Sequence, residues 1–134
     1  MTEILLFLAK YCAFLFRPGR FRFVDSRTDE SFNNALVILE STSVRLRIAH
    51  DRGELLLDFQ PTVGGSDEWF LLGPLRGVLL GDRGGSGVLD EGWAQFLGDS
   101  LDELAQRFAD PAVRSTTIEE LHHQEKLRAK ELFG

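Results

Sequence analysis

Four short runs between residues 20 and 60 carry the pattern of strands. Arg20-Phe21-Arg22-Phe23-Val24 and Val44-Arg45-Leu46-Arg47-Ile48 alternate polar and apolar positions. Ala35-Leu36-Val37-Ile38-Leu39-Glu40 is a short run rich in β-formers, and Leu55-Leu56-Leu57-Asp58-Phe59 closes the series. Side chains along a strand point to opposite faces, so a period of two means one buried face and one wet face. Asp25 to Asn34 reads as a polar connection with a turn at Asn33-Asn34. Ser41-Thr42-Ser43 and Asp51-Arg52-Gly53 are tight turns. In the second, Gly53 supplies the left-handed residue of a three-residue hairpin with a bulge. Strands joined this closely are antiparallel neighbours.

Helical signals flank the strands. Met1 to Phe16 is strongly apolar, with Thr2 placed to cap it, Glu3 at its positive end and Arg17-Pro18-Gly19 to stop it. It does not read as a secretory signal. Glu3 stands where a positive charge belongs, Lys10 interrupts the run, and no A-x-A site follows. It also falls short of the roughly 20 apolar residues that span a bilayer. A buried helix and a cytoplasmic protein are expected. Glu68 to Leu72, after Asp67 as a cap, predicts a short turn or half-helix. Pro74 to Leu80 predicts a helix, and Gly81 to Gly87 a flexible loop.

Leu89 to Ala109 places Trp93, Phe96, Leu97, Leu101, Leu104 and Phe108 on one helical face. Gly92 and Gly98 weaken its first half, with Asp99 or Ser100 as a restart, and Asp110-Pro111 ends it. The last helix is expected from about Thr117 to Phe133, opened by a capping box at Thr116/Glu119 or Thr117/Glu120. Its apolar stripe is thin (Ile118, Leu121, Ala129, Leu132), which suits a peripheral element. The order α–β–β–β–β–α–α–α indicates the α+β class. The expected architecture is a single domain, residues 1–134. It holds an antiparallel four-stranded meander, preceded by one helix and followed by two or three helices on one face.

Composition narrows the function. At 134 residues and 43% apolar, one domain with a sizeable core is expected. The net charge of −6 argues against nucleic acid, whose binders carry a basic patch, and suits a basic protein partner. Cys12 is the single cysteine, so no intramolecular disulfide forms. Its neighbours Tyr11 and Ala13 offer neither base nor positive charge, and a buried, inert thiol is expected.

No motif demands a catalytic, metal or cofactor site. His122 and His123 are adjacent, about 100° apart around a helix, and cannot clamp one ion from one face; a solvated face is expected. His50 stands alone at a strand end, as a structural or exposed residue. Gly81 to Gly87 has the glycines of a phosphate loop but not its Gly-Lys-Ser/Thr ending. No G-x-S-x-G elbow occurs. Asp58 falls on the wet face and is expected to pair across strands with Arg45 or Arg47. Trp69 is the aromatic most suited to anchoring a partner; the competing expectation makes it core at the end of the sheet.

Phe21-Arg22-Phe23-Val24-Asp25-Ser26, Ser31-Phe32, Asn34-Ala35, Ile48-Ala49-His50-Asp51-Arg52-Gly53-Glu54-Leu55 and Asp58-Phe59 carry a likeness to known proteins. Over these residues the chain resembles a group of small actinobacterial proteins of unknown function. Many of these look like immunity proteins of polymorphic-toxin or contact-dependent inhibition systems. The resemblance implies a small, cytoplasmic, non-enzymatic protein that binds and blocks a toxin domain. Asp51, Arg52, Glu54 and Asp58, with Trp69 as anchor, are the expected partner-binding residues. The alternatives are an acidic adaptor or chaperone-like homodimer holding a client, and an enzyme with an unfamiliar site.

Overall fold

A computed structural model describes residues 1–29, 34–85 and 87–133. Five strands form one antiparallel meander: β1 (Arg22–Asp29), β2 (Asn34–Glu40), β3 (Val44–Asp51), β4 (Glu54–Pro61) and β5 (Phe70–Leu71). The α+β order is as expected, but the sheet gains a fifth strand where a half-helix was expected. Phe70 opposes Phe59 and Leu71 opposes Asp58. β1 is also longer than its alternation suggested, taking in Asp25 to Asp29. As an outer strand it needs no apolar alternation there. Ser31, Phe32 and Asn33, quoted above, lie outside the described residues.

Directly opposed residues of an antiparallel pair share a face, so the register sorts the sheet. Ala35, Val37, Leu39, Leu46, Ile48, Leu57 and Phe59 point inward and are buried. Helices α1 (Thr2–Tyr11), α2 (Leu72–Leu80) and α3 (Glu91–Ala109) pack against the strands, and α4 (Pro111–Phe133) rests on α2 and α3. The six apolar residues expected to share a face of α3 are all buried.

Several boundaries differ for identifiable reasons. Thr2 makes no side-chain cap, and α1 ends at Tyr11, followed by a 3-10 turn at Ala13–Phe16. α3 runs unbroken through Gly98 with no restart at Asp99 or Ser100; a Cβ on Gly98 would come within 3.1 Å of the Phe14 ring. That glycine serves close packing of the 3-10 turn. α4 begins at Pro111 instead of Thr117. Asp110 Oδ1 accepts from the backbone N–H of Ala112 at 2.9 Å and of Val113 at 3.3 Å, so one residue closes α3 and caps α4. Thr116 and Thr117 are therefore mid-helix, and Thr117 is fully buried.

The β3–β4 turn is tighter than expected. Asp51 and Glu54 pair directly, leaving a two-residue loop with Arg52 at φ 54° and Gly53 at φ 81°. Two positive φ values define a type I′ turn, for which Asn-Gly is the favoured sequence. Arg52→Asn is expected to stabilise the protein by up to about 1 kcal/mol, and Gly53→Ala to destabilise it by about 1 kcal/mol or more. Urea denaturation of the two variants checks the opposite signs.

Candidate functional site

The helices cover the inner face of the sheet; the outer face carries a different pattern. β3 contributes Arg45, Arg47, Ala49 and Asp51, and β4 contributes Glu54, Leu56, Asp58 and Gln60. Their partners on β2 are Leu36, Ile38 and Glu40, and β5 adds Leu71 beside Asp58. Three zones result across the strands.

At one end is a polar ladder. Arg45 donates to Glu40 Oε1 from Nη2 at 2.6 Å and to Gln60 Oε1 at 2.7 Å, and Arg22 reaches Glu40 from β1 at 3.5 Å. The Arg45 hydrogen bonds hold the Glu40 carboxyl below the ordinary carboxylate range. Gln60 donates onward to the Glu68 carbonyl at 3.2 Å, which ties the segment leading to β5 against this corner.

The middle holds an ion pair under an aromatic ring. Arg47 grips Asp58 with both arms of its guanidinium, Nε donating to Oδ1 at 2.9 Å. Its Cζ lies 4.3 Å from the centroid of Trp69. Such stacking adds about 0.5–2 kcal/mol and fixes the ring. The expected cross-strand pairing of Asp58 is thus with Arg47. Trp69 is half-buried on the outer face, and Phe70 is the core aromatic instead. Beside this pair Leu36, Ile38, Ala49, Leu56 and Leu71 form an apolar band, with Leu56 38% and Leu71 48% exposed.

The third zone is the hairpin tip, with Asp51, Arg52 and Glu54. At about 3.3 Å per residue, Glu54 lies about 13 Å along β4 from Asp58. So the five sequence-predicted residues form two groups: Asp58 with Trp69 in the middle, and the tip apart. Sequence reasoning missed the apolar band and Arg47's place under the ring. The signal for the band was the unbroken apolar run of β2 and the leucine triplet of β4, which place apolar groups on both faces.

The remaining candidates are accounted for by packing. His50 is buried on the inner face, its Nδ1 4.0 Å from Glu3. Cys12 is fully buried, and burial pushes its thiol up to about 11. His122 is not on a merely solvated face: its Nε2 lies 2.8 and 2.9 Å from the two Glu68 oxygens, and its ring meets Phe70 at 5.6 Å. Among the described residues no three His, Cys, Asp or Glu side chains converge as a metal site. In the Gly81–Gly87 loop, Arg83 leans on α4 through Glu131 and Gln124; Ser86 lies outside the described residues. No helix among those described is long and apolar enough to cross a membrane.

No family model matches the chain, and neither a curated protein nor a solved structure matches it.

Glu125, beside His122, gives a pH signature. Burial, and then the charge of Glu68, raise its carboxyl above the ordinary value. A carboxyl raised in the folded state opposes folding once ionised, and that penalty disappears as pH falls below its unfolded value. Glu125→Gln is therefore expected to raise the melting temperature slightly at pH 7, with the gain shrinking toward pH 4. Melting curves of the variant and parent at both pH values check the sign.

Proposed function

We propose that this protein is a non-enzymatic binding module that docks a basic protein domain on the outer face of its sheet. Its most fitting role is that of an immunity protein neutralising a toxin domain. The observation that carries this reading is the apolar band of half-buried Leu36 and Ile38 and exposed Leu56 and Leu71, bordered by the Arg47–Asp58–Trp69 cluster. Such a surface has the anatomy of an interface: an apolar centre, an aromatic anchor and a polar rim. Trp69 is held by Arg47, so little side-chain freedom is lost on docking. Asp51 and Glu54 at the tip, with the net charge of −6, favour approach of a basic surface.

The test is co-expression with the polypeptide encoded beside this chain. The wild type is expected to restore growth to cells producing that polypeptide, and Leu56→Glu to abolish the rescue. Leu56 is exposed on the sheet, so the variant should fold normally by circular dichroism. A neighbouring product that is harmless and does not bind, or rescue that survives Leu56→Glu, would remove the proposal.

A further inference from the structure

β1 is the outermost strand, with no other strand on its far side among the described residues. Its outer-face residues, in order, are Arg22, Asp25, Arg27 and Asp29, because Val24 is the extra residue of a bulge. Charges at an edge ordinarily guard it against pairing with another chain. Here their order does more. A two-fold axis at Ser26 that pairs β1 with a second antiparallel β1 sets Asp25 opposite Arg27 twice. Counting Val24 as the extra residue, it also sets Arg22 opposite Asp29 twice. A slip of two residues either way brings like charges together. One register of self-pairing is thus selected and its neighbours are penalised.

A second observation concerns the inner side of the same edge. Leu5, Phe16, Phe23 and Val24 are between 41 and 49% exposed. The Phe16 and Phe23 rings stack at 5.6 Å, and Met1, Leu5, Phe23 and Val24 line a shallow groove along β1. Apolar side chains beside an open strand edge make an aggregation hazard unless something covers them. Within one chain Asp25 and Arg27 already meet along the strand at 3.2 Å, so the two-fold would join two such pairs into a four-membered cluster.

We infer that the chain forms a two-fold dimer through β1, centred on Ser26, in which the two sheets become one ten-stranded sheet. This inference is independent of the toxin reading, since it uses the edge and leaves the outer face of each copy free.

Sedimentation equilibrium of the full chain, over about a hundredfold range of concentration, tests it. The expected mass at the upper end is twice the 15.1 kDa of one chain. Asp25→Arg and Arg27→Asp, each alone, put four like charges at the centre and should weaken self-association roughly tenfold or more. An equimolar mixture of the two variants restores opposite charges across the axis and should recover the wild-type dimer. A wild type that stays monomeric throughout overturns the inference. So do single variants that dimerise like the wild type, and a mixture that does not recover although both variants are folded.

Discussion

Replacing Phe59 by Ala is expected to cost about 3–5 kcal/mol, the largest effect of any single truncation in the sheet. Phe59 is fully buried, in the centre of β4's inward row. Its ring centroid lies 6.0 Å from that of Phe70 and 6.1 Å from that of Phe108, both themselves buried. It therefore joins three parts of the fold: β4, the short β5, and the end of α3. Truncation leaves a cavity whose walls belong to separate elements, and β5 is only two residues long. Against a typical stability of about 5–15 kcal/mol, the loss is a large fraction. Urea denaturation should show a midpoint moved far down. A cost under about 1 kcal/mol would mean that the three rings do not form one packed cluster.

The second large effect is expected at Leu121, and it should be local. Leu121 is fully buried, while most of α4 around it is polar. Leu121→Ala should cost about 2–5 kcal/mol by the usual cavity argument. The rest of the helix is held by polar links: His122 with Glu68, and Arg83 with Gln124 and Glu131. Surface ion pairs of that kind contribute at most about 1 kcal/mol each. Once its main apolar contact is cut, α4 should open without the sheet. Native-state hydrogen exchange should show α4 amides losing protection while those of β2 and β3 keep theirs. Equal loss across both would show that α4 belongs to the same cooperative unit as the sheet.

The middle of the chain was legible because its strands are buried on one side. Val44, Leu46 and Ile48 alternate with Arg45 and Arg47, so period alone fixes their faces and leaves Asp58 to pair with Arg45 or Arg47; the β3–β4 register selects Arg47. The edges were not legible in that way. β1 beyond Val24 is polar on both faces because little packs on it, and β5 is two residues that only register with β4 makes a strand. Asp110-Pro111 carries a stop signal and a start signal at once, and only the start of α4 was overlooked. Trp69 and Phe70 are neighbours in a short segment, where sequence cannot say which one turns inward. The segment from Thr62 to Glu68 decides it by folding back against Gln60. The candidate face was half legible: Asp58 and Trp69 were named from their types, but the apolar band between strands emerges only when β2, β3 and β4 are laid in register.

The most direct test of the account is hydrogen–deuterium exchange on this chain, alone and in the presence of the basic protein domain proposed as its partner. Binding on the open sheet should slow exchange in residues 36–38, 47–49, 56–58 and 69–71 and leave α1 and α4 unchanged. Slowing confined to the helices, with those sheet segments unaffected, would contradict it.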